Sequence, residues 1–145
     1  MMSIFTGLNI NASGLALERL KLDTISTNIA NVNTHQTENG EAYRKKTVDF
    51  SESLKNVQTN TANMQPNKMS FGVKVNRIVE DQTENVSYDP TNPNADDEGY
   101  VALSNVNTAD EMVAMIQALR TYEANASSLE ANKLILRKAL EISKD

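Results

Sequence analysis

Apolar residues recur every seven positions at both ends of the chain, which is the spacing of helices that pack side by side. Near the N-terminus the repeat runs through Leu8, Leu15, Leu22 and Ile29, and Ile25 joins it. Two offset sets in the C-terminal third follow one heptad register and predict a second long helix. They are Met112, Leu119, Ala126, Lys133 and Leu140, and Met115, Tyr122, Leu129, Leu136 and Ser143.

The N-terminal stripe predicts a helix from about Ser3 to Val32, because this stretch lacks proline and a polar run, Asn33 to Gln36, follows it. Gly7 and Gly14 lie inside this helix, seven residues apart. Each costs about 1 kcal/mol relative to alanine. Either the helix frays at its start, or the missing side chains allow another helix to approach closely.

The C-terminal stripe predicts a helix from Ala109 to Ser143. Thr108 and Glu111 stand at the two ends of a capping-box motif, in which each side chain bonds the backbone amide of the other residue. The two helices would be about 45 Å and 52 Å long. A compact domain of this length has a radius of gyration of only about 15 Å, so an elongated molecule is expected.

The segment between the helices is polar and contains short stretches with strand character. Tyr43 to Phe50 is one, and Gly72 to Val79 alternates well enough to be another, with Val86 to Tyr88 as its predicted partner. Asn56 to Asn67 has almost no apolar residue and is expected to be a loop, either mobile or ordered by a partner. A short apolar run, Tyr100 to Leu103, precedes the last helix.

These elements together predict a mainly α fold. Long N- and C-terminal helices pack as a coiled-coil-like pair, with a small β and loop region between them. The predicted segments are 1–33 for the N-terminal helix, 34–107 for the loops and short strands, and 108–145 for the C-terminal helix.

Composition removes several classes of function. The net charge of −5 and the pI of about 4.9 argue against nucleic acid or an anionic membrane as a partner. There is no cysteine, so disulfides and thiolate chemistry are excluded. No stretch has the roughly 18 apolar residues of a membrane span. No lysine or arginine precedes Arg19, so a cleavable secretory signal is not expected.

No residue pattern in the chain predicts catalysis, a cofactor or a metal site. The single histidine, His35, stands in a polar loop with no obvious partner. The acidic run Asp96 to Glu98 fails as an EF-hand, since Asp97 stands where glycine is needed and Leu103 where the bidentate glutamate is needed. The basic run Arg44 to Lys46 is expected to meet an acidic surface, with Asp96 to Glu98 of the same or a neighbouring subunit as the candidate.

Three groups of motifs resemble those of the bacterial flagellar axial proteins, the rod and hook subunits. The N-terminal group is Ser13-Gly14-Leu15 followed by the run from Leu22 to Thr34, and the C-terminal group runs from Glu111 to Asn125. The middle of the chain and its short length are similar to the proximal rod subunits in particular. The motifs there are Gly72 to Val75, Tyr88 to Pro90, Asp96 to Val101 and Asn105 to Asn107.

The resemblance implies a structural subunit of the proximal rod of the flagellar basal body, without enzymatic activity or cofactor. It would assemble with other rod subunits and with copies of itself into a helical tube that crosses the periplasm and transmits motor torque. It would be exported by the flagellar type III apparatus without cleavage of a leader. Two other classes stay open: a cytosolic coiled-coil adaptor or secretion chaperone, and an enzyme.

The residues assigned to subunit packing are those of the two stripes, and three asparagines belong to the family motif. The packing residues are Leu8, Leu15, Leu22, Ile25, Ile29, Met112, Met115, Leu119, Tyr122, Leu129, Leu136 and Leu140. The motif residues are Asn28, Asn31 and Asn33. Asn28 and Asn31 either weaken and stop the first helix, or their carboxamides hydrogen-bond a neighbouring chain and fix its register.

Overall fold

The computed structural model describes residues 4–57 and 67–142, with two long helices and four strands. Most of the loop predicted between Asn56 and Asn67 lies outside the described residues. In chain order the elements are α1 (Ile4–Ala30), β1 (Lys46–Val57), β2 (Asn67–Glu80), β3 (Asn85–Tyr88), β4 (Tyr100–Leu103) and α2 (Thr108–Ile142).

The end of α1 is defined by Asn31. Its backbone N–H donates to the carbonyl oxygens of Thr27 and Asn28, and its side-chain Nδ2 donates to the Thr27 carbonyl at 2.9 Å. The Thr34 hydroxyl then donates to Asn31 Oδ1 at 3.2 Å. Asn31 therefore satisfies carbonyl groups that the end of a helix leaves without intrahelical partners, which agrees with its predicted role in stopping the helix.

The start of α2 differs from the predicted capping box. Asn107 is the N-cap, because its Oδ1 accepts the backbone N–H of Ala109 at 2.9 Å and its carbonyl accepts the N–H of Glu111 at 3.0 Å. The Glu111 carboxylate bonds Asn28 and Lys45 instead of a backbone amide at the cap. The capping-box prediction was therefore wrong, since a better-placed asparagine precedes the threonine and tertiary contacts take the glutamate.

The four strands form two separate two-stranded sheets, β1 with β2 and β3 with β4. In the first sheet, the side chains of Lys46 and Glu80 form an ion pair, and so do those of Asp49 and Arg77. The residue numbers rise along β1 as they fall along β2, so the two strands run in opposite directions. In the second, Val86 stands opposite Ala102 in an antiparallel register. The predicted pairing of Gly72 to Val79 with Val86 to Tyr88 was wrong.

Local chain geometry explains the pairing of β3 with β4. The loop between them turns back at Gly99, whose φ is +85°, and whose N–H donates to the Asp96 carbonyl. Asp96 Oδ1 also accepts the N–H of Tyr100 at 2.8 Å, where β4 begins. The acidic run is thus a solvent-exposed turn. The Asp89 N–H also donates to the Gly99 carbonyl at 2.9 Å, which extends the antiparallel pairing beyond Tyr88 and Tyr100.

By packing, the chain divides into two compact units that do not follow the predicted three segments. The first unit is Met1–Leu20, Asp49–Arg77 and Ala118–Asp145, and the second is Lys21–Val48 and Ile78–Gln117. The three-segment division stays a prediction. Among the described residues, no helix is long and apolar enough to cross a membrane.

In the first unit, β2 packs closely on α1. Ser13 Oγ donates to the Ile10 carbonyl at 2.7 Å and accepts the backbone N–H of Val73 at 3.1 Å. Gly72 has φ of +103°, and a Cβ there would overlap the Ser13 hydroxyl and lie 3.1 Å from the Ile10 Cα. Glycine is needed at this position both for its backbone conformation and for the close approach of strand to helix.

Candidate interfaces and a buried polar cluster

Asn28, on the last turn of α1, is almost completely buried, with 1% of its surface exposed. Its Nδ2 donates to the Lys46 carbonyl at 2.8 Å and to Glu111 Oε2 at 2.9 Å. Its Oδ1 accepts the Lys46 N–H at 2.9 Å and the Tyr43 hydroxyl at 3.0 Å. All four hydrogen-bonding positions of the carboxamide are therefore filled from within the same chain.

This arrangement contradicts both interpretations of Asn28 made from the sequence. The residue does not simply weaken the end of the helix, because it is a fully bonded part of the second unit's interior. It is also not available to a neighbouring chain. Asn31 keeps its bonds within its own helix end, and Asn33 is exposed. Their membership of the family motif stays a prediction.

Glu111, on the first turn of α2, is the other buried polar centre, with 2% of its surface exposed. Its Oε1 lies 2.7 Å from Lys45 Nζ, and its Oε2 accepts from Asn28. A buried ion pair is stable only when its geometry is good and further hydrogen bonds satisfy both charges. We call Asn28, Tyr43, Lys45 and Glu111 the buried polar cluster.

Burial raises the pKa of the Tyr43 hydroxyl above its usual value of 10.0, and the nearby charges of Glu80 and Glu111 raise it further. Tyr43 is therefore a neutral donor at physiological pH, as its bond to Asn28 requires. No buried side-chain nitrogen or oxygen within residues 4–57 and 67–142 is without a hydrogen-bond partner.

A second carboxamide, Asn105, joins the same stretch of chain to another segment. Its Oδ1 accepts the Lys45 N–H at 2.7 Å, and its Nδ2 donates to the carbonyls of Asp81 and Thr83. Asn28 and Asn105 together hold residues 43–46 between α1, α2 and the end of β2. The second unit is therefore organised by side-chain amides that bond backbone groups distant in sequence.

The basic run pairs with glutamates rather than with the predicted acidic turn. Lys45 bonds Glu111, Lys46 lies 3.6 Å from Glu80, and Arg44 lies 3.9 Å from both Glu41 and Glu84. The Arg44 guanidinium also donates to the Gln82 carbonyl at 3.0 Å. The expectation of an acidic partner is confirmed within the chain, where the partners are glutamates. A contact with Asp96 to Glu98 of a neighbouring subunit stays a prediction.

In the first unit, α1 and α2 meet through small and polar residues. Asn11 Nδ2 donates to Ser128 Oγ at 3.0 Å. A Cβ at Gly14 would lie 2.9 Å from Asn125 Nδ2, and one at Gly7 would lie 3.6 Å from Asn132 Nδ2. The pairs run in opposite directions along the two helices, so they are antiparallel here. The close approach expected from the glycines is clear at Gly14, while Gly7 makes ordinary contact.

The residues of α2 that face α1 are thus displaced by one position from the first predicted set. Glu111 and Ala118 are buried, and Asn125 and Asn132 meet the α1 glycines. By contrast, most of the first predicted set is exposed. A heptad repeat identifies a row of apolar residues, but it does not show whether that row packs against the same chain. In this protein the row of α2 that packs against α1 consists of small and polar residues.

The predicted packing residues therefore fall into three classes of exposure. Ile25 is buried. Those that are half-buried are Leu8, Leu15, Leu22, Ile29, Met115, Leu129 and Leu136. Those that are exposed are Met112, Leu119, Tyr122 and Leu140. Their assignment to contacts between subunits stays a prediction.

Further exposed apolar side chains lie on α2. In the second unit these are Met112, Val113 and Ile116, each more than half exposed. In the first unit they are Leu134, Ile135 and Ile142, of which Ile135 is 57% exposed. Large apolar surfaces of this kind mark sites of protein association.

The β3–β4 sheet exposes a second apolar surface. Val86, Tyr88 and Tyr100 are exposed on one face, and the two tyrosine rings meet edge to face with centroids 5.3 Å apart. Val101, on the other face, is buried. In the described part of the chain, no group of three or more His, Cys, Asp or Glu side chains is placed to hold a metal ion.

Sequence reasoning missed Tyr43, Lys45 and Glu111 as members of the buried polar cluster, and Asn105 as the residue that bonds the Lys45 backbone. Their partners are separated by 15 to 83 positions along the chain, so no local motif connects them. One signal was available in the sequence, namely the position of Asn28 on the helix. Asn28 follows Thr24 by four residues and Ile25 by three, so the three side chains share one face of α1, and that face is buried.

Comparison with known proteins gives a consistent result over the whole chain. A family model described as "Flagella basal body rod protein" matches residues 8–35, and one described as "Flagellar basal body rod FlgEFG protein C-terminal" matches residues 97–142. The flagellar basal-body rod protein FlgC of Bacillus subtilis is 40% identical, with 99% of this chain and 100% of that protein covered.

Two further relatives carry the same name. The FlgC protein of Borreliella burgdorferi is 38% identical, and that of Salmonella typhimurium is 34% identical. In both cases the alignment covers 97% of this chain and 98% of the relative.

Proposed function

This chain belongs to the FlgC family of flagellar basal-body rod proteins, and it is a structural subunit of the rod rather than an enzyme. From that premise we propose that its terminal helices pair in a coiled-coil-like manner and polymerise it. They bind copies of the same chain and other rod subunits in the proximal rod, giving an elongated helical tube that crosses the periplasm and transmits motor torque.

The observation that carries this proposal is the apolar face of α2 that its own chain leaves exposed. Leu134, Ile135 and Ile142 are all exposed on this helix. Fully burying one such side chain contributes about 1.5–3 kcal/mol, repeated in every subunit. Contacts between different faces of successive subunits do not close on themselves, so they produce a helical filament.

The predicted packing residues enter the proposal in two roles. Half-buried residues such as Leu22 and Leu129 contribute to the fold and to contacts between subunits. Exposed ones such as Met112, Leu119 and Leu140 contribute mainly to contacts between subunits. Ile135 is the sharper probe, because a change there removes apolar surface without disturbing the fold.

The test is Ile135→Asp in a strain that lacks the native rod subunit. We expect normal folding of the purified protein but few or no rods in isolated basal bodies, together with loss of swimming. Arg137→Gln is the matched control, since Arg137 is also exposed and the charge changes by the same amount. Normal rods in Ile135→Asp, or equal loss in the control, would contradict assembly through this face.

We also propose that the subunit reaches the rod through the flagellar type III export apparatus and keeps its N-terminus. Membership of the family of flagellar basal-body rod proteins supports this route. N-terminal sequencing of the subunit from purified basal bodies tests it. A start far inside α1 would contradict export without cleavage.

A further inference from the structure

We propose that the β3–β4 sheet of one copy of this chain is a docking surface for α2 of a second copy, and this rests on the proposed assembly through α2. The docking surface consists of Val86, Tyr88 and Tyr100 on the strands, with Asp97 and Glu98 in the turn between them. We call these five residues the acidic tyrosine surface. It lies within the second unit, and the part of α2 that it receives lies within the first unit of the other copy.

The tyrosines and the acidic turn form one continuous surface. Tyr88 is 65% exposed, yet its ring lies against the turn, since a Cβ at Gly99 would be 3.0 Å from Tyr88 Cε2. Asp96 holds the turn to β4: its N–H donates to the Tyr100 carbonyl at 2.9 Å, and its Oδ1 accepts the Tyr100 N–H at 2.8 Å. Aromatic side chains that are already held in place lose little conformational entropy when a partner binds them, and tyrosine is enriched at protein interfaces.

The distribution of charge indicates a basic occupant from the first unit of another copy. The second unit contains 12 Asp or Glu residues and four Lys or Arg residues, a formal charge of −8. The first unit contains ten Lys or Arg residues and seven Asp or Glu residues, a formal charge of +3. Opposite charges on two surfaces steer their association and disfavour wrong partners. The second unit of one copy therefore attracts the first unit of the next and repels another second unit.

The basic run of the second unit is a poorer occupant. Arg44, Lys45 and Lys46 each have a glutamate partner in their own chain. A further carboxylate from a neighbouring copy gains less beside a cation that is already paired. The occupant is therefore sought in the first unit, where α2 carries exposed apolar side chains.

Within the first unit, Lys138 lies on an exposed apolar face of α2. Leu134 precedes it by four residues, Ile135 precedes it by three and Ile142 follows it by four, so the four side chains share one face of the helix. Ile142 is 77% exposed. Lys138 and Glu141 form an ion pair at 2.7 Å, but both side chains are more than half exposed, and such a pair contributes little. Lys138 can therefore exchange this partner for the carboxylates of another copy. We call Leu134, Ile135, Lys138 and Ile142 the Lys138 face.

The contact joins two different surfaces, apolar to apolar and acidic to basic. Each copy would still have one surface of each kind unoccupied after binding a single neighbour. Such a heterologous contact continues from copy to copy, either around a ring or along a helix.

Photo-cross-linking in basal bodies identifies the occupant directly. The full-length chain carries p-benzoylphenylalanine in place of Tyr88, in a strain that lacks the native rod subunit. We expect a covalent dimer of this chain, with the adduct in residues 134–142 of the second copy. The same cross-linker in place of Thr47, an exposed residue of the second unit outside the docking surface, should not give this adduct. An adduct with another rod subunit, or with a different part of the second copy, would overturn the proposal.

Charge exchange tests the same contact without the bulky probe. We expect Lys138→Glu to lower the number of rods about tenfold, because like charges then face each other. The double change Asp97→Lys and Glu98→Lys should act similarly, and combining it with Lys138→Glu should recover most of the loss. Arg137→Glu is the matched control, since Arg137 is exposed but lies outside the Lys138 face. Failure of the combined variant to recover, or equal recovery with Arg137→Glu, would overturn the proposal.

The Ile135→Asp variant separates this contact from assembly through α2 in general. If Ile135→Asp blocks assembly while the Tyr88 adducts lie elsewhere and charge exchange fails, assembly through α2 stands and only the acidic tyrosine surface is rejected. Normal rods in Ile135→Asp would reject both.

Discussion

At the scale of the residue, Asn28 shows how one carboxamide can join three segments of chain. It bonds both backbone groups of Lys46, the hydroxyl of Tyr43 and the carboxylate of Glu111. An amide has two donors and an acceptor with two lone pairs, and no other side chain of this size offers both. Its burial is tolerated because every one of these positions is occupied.

The first residue-scale prediction concerns Asn28→Ala. This change removes the side-chain partner of the Lys46 backbone groups and of the Tyr43 hydroxyl, and one of the two partners of Glu111. Each orphaned group costs about 1–3 kcal/mol. We expect a loss of about 3 kcal/mol or more in the free energy of unfolding, measured by urea denaturation. Asn31→Ala, which removes exposed bonds within one helix end, should cost far less. Equal losses would show that burial of the cluster contributes little.

The second concerns Tyr43 and alkaline pH. Its pKa is raised in the folded state above 10.0 by burial, then by Glu80 and Glu111. The protonated form is therefore favoured by folding. Its contribution to stability is complete below pH 10 and is lost as pH rises through the higher, folded-state pKa.

Absorbance titration measures this, because the chain has four tyrosines. We expect one tyrosine to ionise later than the others, and Tyr43→Phe to remove that late component. The quantity to compare is the difference in absorbance between the native chain and Tyr43→Phe. Simultaneous ionisation of all four would contradict the raised pKa.

At the scale of the element, the helices were predictable and the strand pairing was not. The heptad repeats extend for many turns, so α1 and α2 were placed to within one or two residues at their ends. The strand pairings depend on contacts between segments that no local pattern specifies, as the pairing of β3 with β4 rather than with β2 shows. The family motif at the end of α1 included Asn28. Its hydrogen-bond partners lie in other segments of the chain, so the sequence did not reveal the buried polar cluster.

The element-scale prediction separates the two N-cap assignments for α2. Asn107→Ala should destabilise the protein by about 1 kcal/mol, because the Ala109 amide loses its side-chain acceptor. Thr108→Ala should cost little, since the capping box to Glu111 is not formed. Thermal unfolding of the two variants decides between them. A larger loss for Thr108→Ala would restore the assignment made from the sequence.

At the scale of the whole molecule, the buried residues are unevenly divided between the two units. In the described chain, Ile25, Val48, Val101, Val106 and the buried polar cluster belong to the second unit. The first unit has far fewer, with Leu17, Gly72 and Ala118 among them. Resistance to local opening follows burial and hydrogen bonding, so the two units should differ in stability.

Hydrogen exchange of the purified monomer tests this difference. We expect strong protection of amides in 21–30 and 108–117, and weak protection in 5–20 and 118–142, although both helices continue through these ranges. Uniform protection of the amides along α1 and α2 would contradict the predicted difference in stability between the two units.

The contact between Asn28 and Lys46 also has a consequence for aggregation. An exposed strand offers its backbone N–H and C=O to any extended chain nearby, and proteins usually cover or charge such edges. Here a helix side chain occupies both groups of the first residue of β1, much as a neighbouring strand would. A foreign strand cannot pair at that position unless α1 withdraws, so the end of this helix shields the sheet from unwanted strand addition while subunits are crowded together.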